Sequence, residues 1–347
     1  MIPKIIIVIP TIRKNSINRF LKEWKQEFLN NKKFDVNLLI IEDNPQKTFD
    51  LKQKNLIHYS WEDIEKDLGK NSWIIPRRTD CIRSYGYWKA FQKNPNMIIT
   101  LDDDCYPLKK HFTKTKNKKK FLQTHWDALN KGINIQENYW ITTIKDLRPR
   151  GIPYKKRIKI KKYKNIILNH GLWYNVPDLD GKTQLSMERV SGLNNYAINQ
   201  IIPKNKYYPM CGMNLAWKPE ATPALFFLLM GQNENNKYWG FDRFGDIWSG
   251  IIFKKIADHL GYNISSGNPI IWHDRASNAN VNFEKEKSGL RINEYFWQMI
   301  DEINLTKNNF KDCYKQIAQK LPSKNIYFIK LKKAMKLWIN LFQKLKK

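Results

Sequence analysis

Ile5-Ile6-Ile7-Val8-Ile9-Pro10-Thr11 is an unbroken, mostly β-branched run that stops at a proline. A strand covered on both faces needs apolar side chains at every position, and this run reads as one. Asn15 to Phe28 then sets Ile17, Phe20, Leu21, Trp24 and Phe28 at helical spacing. Val36-Asn37-Leu38-Leu39-Ile40-Ile41 is a second buried run, closing at Glu42-Asp43-Asn44-Pro45. Strand, helix and strand at this spacing make a βαβ unit, so the expected fold is α/β, with parallel strands and covering helices. In open sheets of this kind ligands bind beyond the carboxyl ends of the strands, where Thr11 and Asp43 fall.

A third strand end carries the densest charge. Asn96 to Thr100 is apolar and β-favouring, and Leu101-Asp102-Asp103-Asp104-Cys105-Tyr106-Pro107 follows it. Adjacent carboxylates at the end of a buried strand repel one another and imply a cation. If the strand continues, alternation puts Asp102 and Asp104 on one side and Asp103 on the other. Two oxygens with open positions left for phosphate suit Mg²⁺ or Mn²⁺. The alternative reading is a solvated acidic turn.

The chain has 347 residues, and 61 Lys+Arg against 32 Asp+Glu give a formal charge of +29. Such a surface attracts anions: nucleotide phosphates, anionic lipid or nucleic acid. No recognised nucleic-acid module or basic-aromatic repeat is present, which disfavours the last of these. Cys81, Cys105, Cys211 and Cys313 stand far apart without zinc or redox spacing, and the run at Ile5 is too short for a signal peptide. The expectation is a cytoplasmic protein that does not span a membrane.

Other words point to a pocket. Arg77-Arg78-Thr79-Asp80-Cys81-Ile82-Arg83 precedes a helix, a fit place for a diphosphate clamp or equally for a solvated basic turn. Lys109 to Lys120 and Lys155 to Lys164 are basic stretches, a loop and an edge strand by pattern. His170-Gly171-Leu172-Trp173, Tyr208 to Asn214, Phe241 to Trp248 and Trp272 to Asn278 set glycine beside aromatics and single charges, as a pocket for a polar ring requires. Asp246 opens a helical pattern and reads either as a first-turn acid or as a base or sugar-hydroxyl acceptor. His273 ends a strand-like run and reads as a core histidine or a third metal ligand.

Val8-Ile9-Pro10-Thr11-Ile12-Arg13, Leu101 to Cys105, His170 to Trp173 with Asn175, Pro177, Asp178 and Thr183-Gln184-Leu185, Pro209 to Ala216 and Ala276-Ser277-Asn278 resemble, in this order, the reversibly glycosylated polypeptides, the UDP-arabinopyranose mutases of plants. The resemblance implies a GT-A-like nucleotide-diphospho-sugar fold, a mixed and mostly parallel sheet flanked by helices. It also implies Mn²⁺ or Mg²⁺ held by Asp102, Asp104 and His273, and a UDP-sugar bound by Thr11, Asp43, Arg83, Asp103 and Arg275. The implied reaction opens UDP-L-arabinopyranose at C1 and recloses the sugar as a furanose. No flavin or NAD is expected, since no dinucleotide fingerprint is present. Glycosylation of arginine in this family points to Arg150, in Arg150-Gly151-Ile152-Pro153-Tyr154, and to Arg148 just upstream; Asp246 completes the catalytic candidates.

The expected organisation is a catalytic domain over 1–303 and a basic, amphipathic helical extension over 304–347. Tyr327, Leu331, Ala334, Met335, Trp338, Leu341, Phe342 and Leu345 form an apolar stripe among lysines. The stripe packs on its own domain or on another subunit of a homo- or hetero-oligomer. Alternatively it lies on anionic membrane, each basic residue adding about 1 kcal/mol. That second reading goes with a metal-dependent glycosyltransferase at the membrane face.

Overall fold

The structure, a computed structural model, describes residues 2–108, 120–138, 150–151, 153, 158–176, 178–186, 199–231, 239–274, 277–323 and 325–343. The opening βαβ unit is present as strand β1 (Lys4–Thr11), helix α1 (Lys14–Glu23) and strand β2 (Asp35–Glu42). Helix α1 is shorter than its apolar spacing suggests, because the chain widens into a π-turn over Lys25–Leu29. Strand β1 lies between β2 and β4 (Met97–Leu101), parallel to both, and β3 (Leu56–Tyr59) extends the parallel set beyond β2.

The other half of the sheet is mixed. Strand β10 (Asn214–Trp217) runs antiparallel to β4 and to β8 (Ile166–Asn175). Strand β11 (Asn263–His273) runs parallel to β8 and antiparallel to β5 (Cys105–Pro107) and β9 (Gln200–Ile201). The order is β3-β2-β1-β4-β10-β8-β11-β5, a GT-A-like mixed sheet whose parallel character is concentrated in its first half. Strands β6 (Ile133–Asn138) and β7 (Ile158–Tyr163) form a separate antiparallel ribbon, which accounts for most of the basic alternating stretch.

Both faces of β1 are buried. Ile5, Ile7 and Ile9 enter one core with Phe20, Trp24 and α4 (Phe121–Lys131), while Ile6 and Val8 enter the other. This is why the opening run lacks polar alternation. Helix α3 (Arg83–Phe91) presses onto β1 so closely that a Cβ at Gly86 would meet Val8 Cγ1 at 2.4 Å.

Helices α5 (Gly181–Ser186) and α7 (Ala279–Lys287) are joined by the Gly181 amide on Glu286, and the second core also takes in α2 (Trp61–Leu68), α6 (Gly245–His259), α8 (Leu290–Asp301), α9 (Phe310–Lys320) and α10 (Ile326–Leu341). Leu331, Ala334, Met335 and Trp338 of α10 are fully buried; Trp338 Nε1 donates to the Pro223 carbonyl at 2.9 Å and the Tyr327 hydroxyl to the Leu229 carbonyl at 3.0 Å. From Tyr327 to Phe342 the stripe therefore packs against its own chain, and most of the face that membrane insertion would need is already covered; Leu345 lies outside the described residues. No helix of the described residues is long and apolar enough to cross a membrane.

Candidate active site

Strand β4 ends at Leu101, and Asp102, Asp103 and Asp104 form a turn closed by the Cys105 amide on the Asp102 carbonyl at 3.1 Å. Strand alternation therefore does not apply to them: Asp102 pairs with Arg83, while Asp103 and Asp104 share Arg13. Asp102 accepts from Arg83 NH2 at 2.7 Å. Asp103 accepts from the Thr11 hydroxyl at 2.6 Å and from Arg13, whose guanidinium also reaches Asp104 at 3.3 Å. The positive charge that the acid cluster requires is supplied in part by Arg13 and Arg83. Burial is the largest influence on Asp103 and pushes it up to about 6, against the pull of Arg13.

Asp104 also faces His273. Strand β5 pairs with β11 so that His273 lies opposite Cys105, and His273 Nε2 stands 3.9 Å from Asp104 Oδ1. The other ring nitrogen, Nδ1, is 2.7 Å from the Val176 carbonyl. Donation there leaves the Nε2 lone pair toward Asp104, the arrangement of a metal-binding histidine. A gap of 3.9 Å between nitrogen and oxygen spans a divalent ion bound to both at about 2.1 Å. The expected set of Asp102, Asp104 and His273 is not assembled as one cage, because Asp102 turns to Arg83. Among the described residues no group of three or more acidic, His or Cys side chains could hold a metal alone.

Above this turn lies a cavity of about 680 Å³ lined by Thr11, Asp43, Arg83, Asp102, Asp103 and Asp246 together with residues the sequence left without a role. Nine carboxylate residues and five basic ones line it, on a chain of net charge +29. Asp43 accepts from Trp61 Nε1 at 2.7 Å, and burial raises it to about 6. A capping box between Ser60 and Asp63 starts α2 and so fixes Trp61. Arg78 closes this side with a left-handed backbone, φ 60°, and its guanidinium lies 5.3 Å from the centre of the Trp61 ring.

The loop Pro209–Met213 bridges the cavity. Gly212 offers its carbonyl to Arg83 NH1 at 2.6 Å, while its amide donates to Asp246 Oδ2 at 3.0 Å. Asp246 lies in the first turn of α6 and also accepts from the Ile247 amide at 2.8 Å. It is both the first-turn acid and a cavity residue. Burial, with Asp80 and Asp178 nearby, raises it well above the ordinary carboxyl range. His170 and Trp173, from β8, line the same cavity. Burial lowers His170 to about 3, which keeps the ring neutral.

Arg150 stands in an exposed turn and does not line the cavity. Arg148, Arg275, Pro177 and most of the Lys109–Lys120 stretch lie outside the described residues. Arg13, Asp80, Asp242 and Arg243 carry no assigned role in the sequence: Arg13 lies two residues beyond the strand-ending Thr11 in the first family-like word, and the others lie in the words read as pocket-like.

Fold and cavity together define a GT-A-like α/β protein whose site sits at the strand ends and is built around an acid turn. A family model described as "Reversibly glycosylated polypeptide" matches residues 3–347, and the chain belongs to that family. It is similar to a probable UDP-arabinopyranose mutase 1 of Pisum sativum, 32% identical over 96% of this chain and 88% of the relative. It is also similar to UDP-arabinopyranose mutase 1 of Arabidopsis thaliana, 32% identical over 98% and 92%. Among solved structures, glucosyl-3-phosphoglycerate synthase from Mycobacterium tuberculosis with Mn²⁺ and UDP is 11% identical, covering 93% of this chain and 82% of that one, with a TM-score of 0.38. A mannosyltransferase from Pyrobaculum calidifontis with GDP-Man and Mn²⁺ is 8% identical, covering 99% and 86%, with a TM-score of 0.40.

Proposed function

We propose that this chain is a metal-dependent mutase that interconverts the pyranose and furanose forms of a UDP-sugar of the L-arabinose type. The observation that carries the reading is the near full-length likeness to relatives named UDP-arabinopyranose mutase. Asp43 and Trp61 receive the uracil, and Thr11, Arg83 and the acid turn lie by the diphosphate. Asp104 and His273 would hold a divalent cation. When bound, the cation neutralises charge on the phosphate oxygens.

Ring contraction breaks C1–O to UDP and later remakes it, so UDP leaves and returns. Between these events the C4 oxygen bonds to C1 while the C5 oxygen lets go. One proton must leave the C4 hydroxyl and one must reach the C5 oxygen, with no net gain or loss. Asp246 is assigned to this transfer because it lines the cavity beside the Gly212 loop, where burial raises its carboxyl and makes proton uptake easier. Arg83 stays charged beside the departing diphosphate, held so by Asp102 and Asp80 against the cost of burial.

Incubation with UDP-arabinofuranose and Mn²⁺, without any acceptor, should yield UDP-arabinopyranose. Failure of any UDP-pyranose to appear across several UDP-furanoses would overturn the reading. The transferase alternative drew its support from an apolar stripe free to meet a membrane, and that stripe is largely buried in the domain.

A further inference from the structure

We propose that His170 and Trp173 form the sugar-recognising wall of the cavity, pairing through their ring nitrogens with hydroxyls of the glycosyl group on a nucleoside diphosphate. The inference rests on the UDP-sugar reading above and adds the part that holds the sugar. His170 is 4% exposed, lines the cavity and has its Nδ1 3.3 Å from the Ser266 hydroxyl. Its Nε2 is buried without a hydrogen-bond partner among the described residues, and so is Nε1 of Trp173. The two rings are 5.6 Å apart on one wall. Two adjacent buried polar atoms left unsatisfied are unusual in a native protein and are the pattern of a site that a polar ligand completes.

The placement suits a sugar. Tyr208, whose ring is 5.5 Å from His170, leads directly into the loop Pro209–Met213, and Gly212 of that loop connects Arg83 with Asp246. The wall thus adjoins the loop that carries the proposed diphosphate side and the proposed proton-transfer group. A neutral imidazole and an indole recognise hydroxyls without adding charge to a cavity that already holds many carboxylates, and the indole face also suits the C–H side of a sugar ring. Gly171 fixes the approach: a Cβ there would meet Asn214 Nδ2 at 2.1 Å and the Pro269 carbonyl at 2.4 Å.

The test is calorimetric binding of UDP and of UDP-arabinopyranose to the full chain, with Mn²⁺, for wild type, His170→Ala, His170→Gln and Trp173→Phe. Wild type should bind the UDP-sugar more tightly than UDP. His170→Ala and Trp173→Phe should lose that advantage by on the order of tenfold with UDP affinity unchanged, and His170→Gln should recover part of it. An advantage retained in both variants, or lost equally with UDP, overturns the proposal. So does a wild type that binds UDP and UDP-sugar alike. A wild type that binds neither overturns the UDP-sugar reading itself and the wall with it. If His170→Ala does not fold, Trp173→Phe, at a half-buried position, decides the matter alone.

Discussion

Asp43 shows how one side chain ties the site to the stability of the domain. Its carboxyl is raised to about 6 by burial, with the Trp61 indole N–H and the nearby arginines opposing the shift. A carboxyl whose pKa is higher folded than unfolded takes up protons on folding, so its contribution is most favourable at low pH and is lost as pH rises through about 4 to 6. Asp103 and Asp242, also raised to about 6, act in the same direction. Asp43→Asn keeps an acceptor for Trp61 but cannot ionise. Its stability relative to wild type should therefore improve between pH 4 and pH 7, by up to about 3 kcal/mol. Urea denaturation at a series of pH values measures this, and parallel curves for the two proteins would contradict the placement of a buried acid there. The same scale explains what the sequence concealed. Arg13 and Asp103 are far apart in the chain, and nothing local in either word says that they meet.

At the scale of elements, what was legible followed burial. Strands β1 and β2 were readable because a parallel strand covered twice has no polar positions to blur it. The end of β4 was not, because nothing in Leu101-Asp102-Asp103-Asp104 shows the strand stopping at Leu101 rather than continuing. The pairing of β5 with β11, which carries His273 to Asp104, depends on a long-range contact that no local pattern encodes. Helix α10 was plain as a helix, but its partner was not, since an apolar stripe is the same whether a membrane or a core covers it. The structure makes the two outcomes separable. Trp338→Ala should cost about 3–5 kcal/mol, because it empties a fully buried site and frees the Pro223 carbonyl. Lys336→Glu on the exposed side should change stability by no more than about 0.5 kcal/mol. Chemical denaturation of both variants checks this, and a small loss for Trp338→Ala would mean that α10 is not part of the core.

The whole molecule sets a strongly positive exterior against a cavity in which carboxylates outnumber bases. Long-range attraction should bring a nucleotide to the protein quickly, while the final fit depends on Arg83, the acid turn and the bound cation. The association rate for UDP should thus fall about tenfold or more between about 0.05 and 0.3 M salt, with a smaller change in the dissociation rate. Stopped-flow measurements decide it, and a salt-independent association rate would show that the surface charge serves something else. The pairing of β5 with β11 also has a consequence in time. Asp104 is synthesised early and His273 late, so the corner they share does not exist on a nascent chain until most of the protein has been translated. A stalled or truncated product that ends before β11 has the acid turn without its histidine, and on this reading it lacks half of the protein's grip on the cation before the fold is complete.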